Sequence, residues 1–425
     1  MSIVSIMLAC YGLAFYLLSL VGSSNVFTFS DALSILFWVA IPLPIALSNI
    51  FGLLLYRDPK VPKTTNERYK LSIIYVTRGT NIEAIRRATQ QTRAILQKNK
   101  NICDSVVYVV SDKGLPRMSG IINLIVPAEY QPENGAKWKA RALEWFRIET
   151  TKVKVLDDVY LHLDEESVIS DDVLVGIQSF VKNNPNKKVI GQGEILYNAH
   201  NYGNNPITTA VDCLRTGDDL GRFRLQYKLF NKPLFGIHGS YLVVFGTDYK
   251  DLSFDHGGKG SITEDAYFGL IAGLHGFKFD WVDGTIHEQS PFTVRDLIKQ
   301  RRRWFNGISL LVDDPIVPLK NKWVLTLSHV CWSLSYGSLL WTLASFLMGY
   351  QQHYIVAFLS LMLYGAFFSI YMIGSWRNTQ KLELSKKWMM RVLNILFFPM
   401  ALLIESIAIM YAIIRPINTF EVVKK

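Results

Sequence analysis

Five long apolar blocks constrain this chain more than any other feature of its 425 residues. They cover residues 4–21, 33–56, 323–348, 354–374 and 392–414. A run of about 20 apolar residues is long enough to cross the hydrocarbon core of a bilayer. The first block lacks a basic leading region and a second block follows it closely, which favours an anchor over a cleaved signal peptide. The sequence therefore predicts about two membrane spans before the middle segment and three after it.

Basic residues are unevenly distributed among the loops between these blocks. Residues 57–68 and 375–391 carry many Lys and Arg, whereas residues 22–31 and 348–353 carry none. By the positive-inside rule the middle segment is predicted to face the cytosol in a multi-pass membrane protein. Five spans would put the tail on the opposite side, although it carries Lys424 and Lys425. The formal net charge of +10 is explained better by these loops than by nucleic-acid binding, so no nucleic-acid partner is expected.

The middle segment alternates strand-like and helix-like patterns. Continuous β-rich runs at residues 71–77, 105–112, 121–126 and 159–163 indicate buried strands, and residues 82–97 and 137–149 indicate helices. This alternation predicts an α/β sheet of the Rossmann-like kind, whose ligands bind at the carboxyl ends of the strands. We expect four regions: two spans in 1–56, a catalytic domain in 57–294, interface helices in 295–320, and three spans with a tail in 321–425.

Carboxylates follow the last of these strands. Asp164 and Glu166 are two residues apart, so both can approach one cation, and Mg²⁺ or Mn²⁺ prefers such oxygen ligands. The alternative is a solvated turn, with Ser170 or Asp171 capping the next helix.

Asp265 follows a glycine-rich segment and opens a helix-like segment, where a carboxylate could act as a general base. The alternative is an ordinary helix cap at Thr263 with acidic residues favouring the helix dipole. Thr77 and Arg78 end the first strand and Asp112 ends the second, where they could touch a base and ribose or form ordinary turns.

A basic amphipathic segment contains the pattern Gln300-x-x-Arg303-Trp304. Such a segment can lie as an anchor on a membrane surface. Alternatively, the guanidinium fork of Arg303 and the indole of Trp304 could grip the diphosphate and sugar of a nucleotide sugar.

The order of these motifs resembles glycosyltransferase family 2, with its GT-A nucleotide-sugar fold. Asp164-x-Glu166 stands where that family has Asp-x-Asp, a departure that keeps an oxygen ligand. Longer blocks resemble the egghead-type β-1,4-mannosyltransferases. These blocks are Val76-Thr-Arg-Gly79, His162-Leu-Asp-Glu-Glu166, Gly191-Gln-Gly193, Lys228-Leu-Phe-Asn-Lys-Pro-Leu-Phe235, Gly239-Ser-Tyr241, Glu264-Asp265, Ser290-Pro-Phe-Thr293 and residues 300–307.

The resemblance implies an inverting hexosyl transfer, with mannose moving from GDP-mannose to a lipid-linked sugar such as glucosylceramide. It implies Asp265 as the base and Asp164 with Glu166 as ligands of Mn²⁺ or Mg²⁺. The residues expected to bind the nucleotide sugar are Thr77, Arg78, Asp112, Lys137, Asp164, Gln300, Arg303 and Trp304. Those expected to bind the acceptor are Gly239, Ser240, Glu264 and Trp304. Membrane lipids are the remaining expected partners.

Two other functions stay open at this level. A processive polysaccharide synthase would also secrete its product, and Glu405, an acid well inside an apolar block, is a candidate site for such a role. A non-catalytic membrane protein that binds nucleotides or lipids would not need a base and a metal site together.

Overall fold

The computed structural model describes residues 2–20, 22–55, 68–152, 158–186, 188–199, 202, 205–421 and 423. The predicted boundary at residues 56 and 57, most of the basic stretch 57–68, and Lys424 and Lys425 lie outside the described residues.

An eight-stranded mixed sheet forms the centre of the domain, with the strand order β3-β2-β1-β4-β7-β6-β8-β5. Its strands are β1 (Tyr69–Thr77), β2 (Cys103–Ser111), β3 (Ile122–Ile125), β4 (Val159–Asp164), β5 (Val168–Ile169), β6 (Val189–Leu196), β7 (Leu242–Phe245) and β8 (Lys278–His287). Runs of Val and Ile build the central strands because both faces of the sheet are covered.

Strand direction brings distant parts of the chain to one edge of the sheet. β1 is parallel to β2 and β4, and β6 is parallel to β8. β7 is antiparallel to both β4 and β6, so β4, β6 and β8 run the same way. The carboxyl ends of β1, β2, β4, β6 and β8 therefore meet at the edge where β7 begins.

Helices cover this sheet and connect its strands. In the domain they are α4 (Ile82–Lys98), α5 (Trp138–Thr151), α6 (Asp171–Asn183), α7 (Pro206–Val211), α8 (Cys213–Asp218), α9 (Gly257–Gly260) and α10 (Glu264–Leu274). Two π-helical segments, Asp219–Phe223 and Gln226–Phe230, follow α8, and Gly246–Asp251 is a 3₁₀ helix. The glycine-rich segment before Asp265 is thus partly ordered as one helical turn.

The amphipathic segment forms α11 (Val294–Asp313), whose first turn is capped by Thr293. The Thr293 side chain accepts a hydrogen bond from the backbone amide of Asp296 at 3.1 Å, a typical helix N-cap. Its basic residues do not form one solvated face, because Arg301 and Arg302 are both buried.

Apolar helices flank the domain on both sides in sequence. They are α1 (Ile3–Leu20), α2 (Phe29–Ser34), the π-helical segment Ile35–Ala40, α3 (Leu43–Leu54), α12 (Leu319–Leu347), α13 (Tyr354–Thr379) and α14 (Leu384–Ile414). Within the described residues, four stretches are long and apolar enough to cross a membrane: Phe29–Leu54, α12, α13 and α14. The first predicted span, residues 4–21, corresponds to α1, which is a shorter apolar helix and is not one of the four. The predicted fold class, an α/β domain flanked by apolar helices, is confirmed, and the chain has the build of a membrane protein.

Small residues allow the apolar helices to pack closely on the domain. A Cβ atom added to Gly52 of α3 would lie 2.0 Å from the carbonyl oxygen of Gly221. A Cβ atom on Gly374 of α13 would lie 1.9 Å from the carbonyl oxygen of Cys213. Because neither position has room for a side chain, the membrane helices and the sheet domain form one packed body.

Both ends of α14 lie beside the sheet domain. Just before α14, the side chain of Asn378 accepts a hydrogen bond from the amide of Tyr197 at 3.1 Å. Just after it, the amide of Ile417 donates to Asn306 at 2.6 Å, and the ring of Phe420 lies 5.9 Å from that of Trp138. The tail, which five crossing spans would put on the opposite side, thus contacts the domain.

Candidate functional site

The sheet edge brings together most of the side chains that the sequence singled out. Thr77, at the end of β1, donates a hydrogen bond to the carboxylate of Glu165. Asp112, just after β2, forms an ion pair with Arg141 at 2.9 Å. The amide of Asp164 donates to the hydroxyl of Ser240 at 3.3 Å, which joins the end of β4 to the segment before β7.

Three carboxylates converge at this edge. Asp164, Glu166 and Glu288 each offer an oxygen atom, and these atoms all lie within 4.8 Å of one another. Ser167 orients Glu288 through a hydrogen bond of 3.0 Å. Three hard oxygen ligands around one point suit Mg²⁺ or Mn²⁺, so the residues present fit the predicted metal.

Glu288 was not predicted from the sequence. It directly follows β8, and it reaches Asp164 only because β8 runs parallel to β6 and in the same direction as β4. The sequence does show that Glu288 follows a strand. However, the strand order that brings Glu288 to Asp164 depends on the whole sheet and cannot be read from this local pattern.

Glu165, which lies between Asp164 and Glu166 in the sequence, behaves differently from these two residues. Burial, and next the charge of Glu166, raise the pKa of Glu165 to about 7. Its side chain turns to the hydroxyl of Thr77 and is not part of the three-carboxylate group.

Lys139 lies between Asp164, one of the three carboxylates, and Glu264, the residue before the predicted base Asp265. Its Nζ atom lies 2.5 Å from Oδ1 of Asp164, 3.0 Å from Oε1 of Glu264, and within 3.3 Å of the carbonyl oxygen of Gly239. Burial alone would lower the pKa of Lys139, but Asp164 and Glu264 raise it well above its usual value. This site therefore contains a fixed positive charge.

Asp265 lies in the first turn of α10, next to Glu264. Burial, and then the neighbouring charge of Glu264, raise the pKa of Asp265 to about 6, although Lys139 opposes the shift. Its Oδ1 atom accepts a hydrogen bond from the amide of Ala266 at 2.8 Å. Asp265 is thus ionised at neutral pH, yet basic enough to accept a proton.

The motif helix α11 presents three of its residues to the same site. Gln300 accepts a hydrogen bond from Arg301 at 2.7 Å. The guanidinium of Arg303 lies 4.2 Å from the ring centroid of Phe420, and its Nε atom is buried without a hydrogen-bond partner in the described part of the chain. The ring of Trp304 is contacted by the guanidinium groups of Arg215 and Arg301.

Glu405, a candidate for a separate role inside an apolar block, pairs with the motif helix. Its Oε1 atom lies 2.7 Å from Nε of Arg301, whose Nη2 atom lies 2.6 Å from Asp212. Arg301 is fully buried between these two acids.

One cavity of about 1090 Å³ joins this site to the apolar helices. Twelve of the predicted site residues line it: Thr77, Arg78, Asp112, Asp164, Glu166, Gly239, Ser240, Glu264, Asp265, Gln300, Arg303 and Trp304. Of the predicted site residues, all of which the structure describes, only Lys137 does not line the cavity. Its side chain is exposed at the start of α5, and its amide donates to Ser261 at 2.8 Å.

The far part of the cavity is mainly apolar and lies between the candidate spans, although Ser335, Ser338 and Thr342 of α12 also line it. Its lining there includes Trp38, Ile41 and Ile45 from the first span, Leu339 and Phe346 from α12, and Leu361 and Phe367 from α13. One ligand can therefore place an apolar segment between the candidate spans and a polar group beside the carboxylates.

Comparison with known proteins gives consistent matches. The family model described as glycosyl transferase family group 2 matches residues 159–414. Over 230 residues the chain is 40% identical to beta-1,4-mannosyltransferase bre-3 of Caenorhabditis elegans, covering 54% of this chain and 50% of that protein. Over 243 residues it is 38% identical to beta-1,4-mannosyltransferase egh of Drosophila melanogaster, covering 55% of this chain and 52% of that protein. The chain thus spans about half the length of the curated relatives it matches.

Among solved structures, the chain resembles mannosyltransferase PcManGT from Pyrobaculum calidifontis in complex with GDP-Man and Mn²⁺. The TM-score is 0.43 at 13% sequence identity, covering 84% of this chain and 100% of that one.

Proposed function

The chain belongs to glycosyl transferase family group 2, and we propose that it is an inverting, membrane-embedded glycosyltransferase that moves a hexose from a nucleotide sugar to a lipid-linked acceptor. The observation that carries this proposal is the single cavity that joins Asp164 and Asp265 to an apolar space between candidate membrane spans. A soluble acceptor would not need that apolar extension.

Asp265 is the general base in this proposal. It takes the proton from the acceptor hydroxyl while that oxygen attacks the anomeric carbon from the face opposite the leaving diphosphate. Its pKa of about 6 suits this step, because the carboxylate is free at neutral pH but retains affinity for a proton. Glu264 raises this pKa and Lys139 lowers it, and the two side chains form an ion pair with each other at 3.0 Å.

Asp164, Glu166 and Glu288 would hold Mg²⁺ or Mn²⁺. Such an ion, when bound, supplies positive charge that stabilises the leaving diphosphate. Arg303 adds a guanidinium whose Nε–H is available to the diphosphate oxygens. Lys137, which lies at the start of α5, would add positive charge at longer range.

Thr77, Arg78 and Asp112 are proposed to bind the nucleoside, since they follow two neighbouring parallel strands. Gln300 and Trp304 complete the donor side. Gly239, Ser240 and Glu264 would border the acceptor sugar. A Cβ atom added at Gly239 would lie 2.8 Å from Nζ of Lys139, so a side chain there would displace Lys139 from its contacts with Asp164 and Glu264.

The donor is proposed to be GDP-mannose, and the linkage β-1,4 to a sugar such as the glucose of glucosylceramide. This finer assignment is supported by the names of the two curated relatives, which are both beta-1,4-mannosyltransferases. The catalytic domain is proposed to face the cytosol, following the distribution of Lys and Arg among the loops.

A panel assay tests the proposal. The purified protein in detergent is given nucleotide sugars one at a time, each with glucosylceramide, ceramide or no acceptor, and nucleotide release is measured. We expect release above background with GDP-mannose and glucosylceramide together. Release that does not depend on any glycolipid, or none with any donor, would contradict the proposal.

A further inference from the structure

Arg215 reaches the site from the side of the membrane helices. It lies on α8, where a Cβ atom on the neighbouring Gly217 would lie 2.1 Å from the carbonyl oxygen of Ile370 in α13. Its guanidinium carbon lies 3.8 Å from the ring centroid of Trp304 and 5.2 Å from that of Tyr197. Arg215 also lines the cavity.

The guanidinium of Arg215 retains hydrogen-bonding capacity. Its Nη1 atom is buried and has no hydrogen-bond partner among the residues that the structure describes. An arginine stays protonated, and a buried donor without a partner costs free energy. A ligand that brings an oxygen atom to Nη1 would remove this cost.

Two other arginines that line the cavity are already paired with carboxylates. Arg301 is held by Asp212 and Glu405, and Arg222 by Asp218 at 2.6 Å. These cations serve the packing of the helices. Arg215 and Arg303 differ from them, because each has a buried nitrogen without a hydrogen-bond partner among the described residues.

Arg215 and Arg303 lie on different flanks of the motif helix. Arg303 contacts Phe420, which in turn packs against Trp138 at the start of α5, on the flank proposed for the donor. Arg215 lies on Trp304 and Tyr197, and its helix packs against α13. Arg215 lines the same cavity as Asp265 and the apolar residues between the spans, so an acceptor bound in that cavity can contact it.

We propose that Arg215 binds the acceptor, by donating hydrogen bonds to oxygen atoms of its sugar from its position on the ring of Trp304. This role rests on the proposed function. Arg215 takes no part in proton transfer. It acts as a specificity residue, because its planar guanidinium donates hydrogen bonds in fixed directions and so selects a sugar with a hydroxyl at the matching position.

Two matched variants distinguish acceptor binding by Arg215 from donor binding by Arg303. Arg215→Lys keeps the charge but loses the fork and the planar stacking, and Arg303→Lys makes the same change on the donor flank. We expect Arg215→Lys to lower kcat/KM for glucosylceramide by about 10- to 100-fold, as for loss of a hydrogen bond from a charged group. GDP-mannose affinity, measured by calorimetry, should stay within about twofold. Arg303→Lys should show the reverse pattern.

In the alternative, Arg215 only holds Trp304 in place and does not contact the acceptor. Monodeoxy analogues of glucosylceramide distinguish the two roles. The wild type should lose activity on the analogue that lacks the hydroxyl bound by Arg215, and the Arg215→Lys and Arg215→Gln variants should be insensitive to that deletion alone. Equal losses on all analogues in the variants would overturn the proposal, as would weakened GDP-mannose binding. Absence of transfer by the wild type would instead overturn the proposed function, and this role with it.

Discussion

Nε of Arg301 lies 2.7 Å from Oε1 of Glu405, so the motif helix α11 is tied to α14 by an ion pair. Asp212 completes the pairing from the other side. Arg301 is nearly inaccessible to solvent, whereas one fifth of the Glu405 side chain is exposed. The pair holds α11 in place, which fixes the neighbouring Arg303 and Trp304.

Glu405→Gln tests this anchoring. The substitution leaves a buried guanidinium with one carboxylate partner instead of two, and we expect stability to fall by about 1–3 kcal/mol. Thermal unfolding in detergent should show a lower Tm, and turnover should fall in parallel. Glu383→Gln is the matched control, because Glu383 is exposed just before α14. Equal Tm values for the two variants would show that the ion pair does not anchor the helix.

The pH dependence of turnover should report Asp265. Because its pKa is raised to about 6, the carboxylate is protonated below that pH and cannot accept the acceptor proton. Turnover should therefore be constant above about pH 7 and fall roughly tenfold per unit below pH 6. Asp265→Asn should lower turnover by about 10²–10⁴-fold with little change in donor affinity.

Glu165 is the necessary control for that profile, since its pKa of about 7 lies close by. Glu165→Gln should keep the acidic limb near pH 6. If the limb disappears in Glu165→Gln, or if Asp265→Asn keeps near-normal turnover, the base lies elsewhere, and Glu264 is the next residue to test.

Metal dependence should follow the three-carboxylate group. EDTA should abolish transfer and Mn²⁺ or Mg²⁺ should restore it. Glu288→Gln should weaken metal-dependent donor binding in the same way as Asp164→Asn, because both remove one charged oxygen ligand from the same point. Calorimetric titration of GDP-mannose with and without Mn²⁺ measures this. Full activity in EDTA would show that transfer does not need a metal ion. Unchanged metal-dependent donor binding in Glu288→Gln would show that Glu288 is not a metal ligand.

The tail should be accessible from the same side of the membrane as the sheet domain. Phe420 packs near Trp138, and Ile417 hydrogen-bonds to Asn306. In sealed vesicles, Thr419→Cys and Lys100→Cys should react alike with an impermeant maleimide, and Asn25→Cys, in the loop between the first two apolar helices, should react from the opposite side. If Thr419→Cys and Asn25→Cys label together, α14 crosses the membrane.

Much of this architecture could be predicted from the sequence because its signals are local. Runs of β-branched residues gave the first four strands within two residues, and the apolar blocks gave the flanking helices. The family resemblance, read from motifs such as Glu264-Asp265 and Gln300-x-x-Arg303-Trp304, is confirmed by the family match.

Other features depend on long-range pairing and could not be predicted. Glu288 joins Asp164 only through the order of the strands, and Arg215 meets Trp304 only after α8 packs on α13. Glu405 looked like an isolated acid in an apolar block because its partner, Arg301, lies 104 residues earlier. Hydropathy measures length and composition, so it could not reveal that both ends of α14 contact the same domain.

The most direct test of sugar transfer through this cavity is product analysis by mass spectrometry. Purified protein in detergent is incubated with GDP-mannose, Mn²⁺ and glucosylceramide, beside an Asp265→Asn preparation that binds the donor equally well. The account predicts that the glycolipid gains the mass of one hexose in the wild type, and that this product is about 10²–10⁴-fold scarcer in the variant. An unchanged glycolipid in the wild type, or an equal yield from Asp265→Asn, would contradict it.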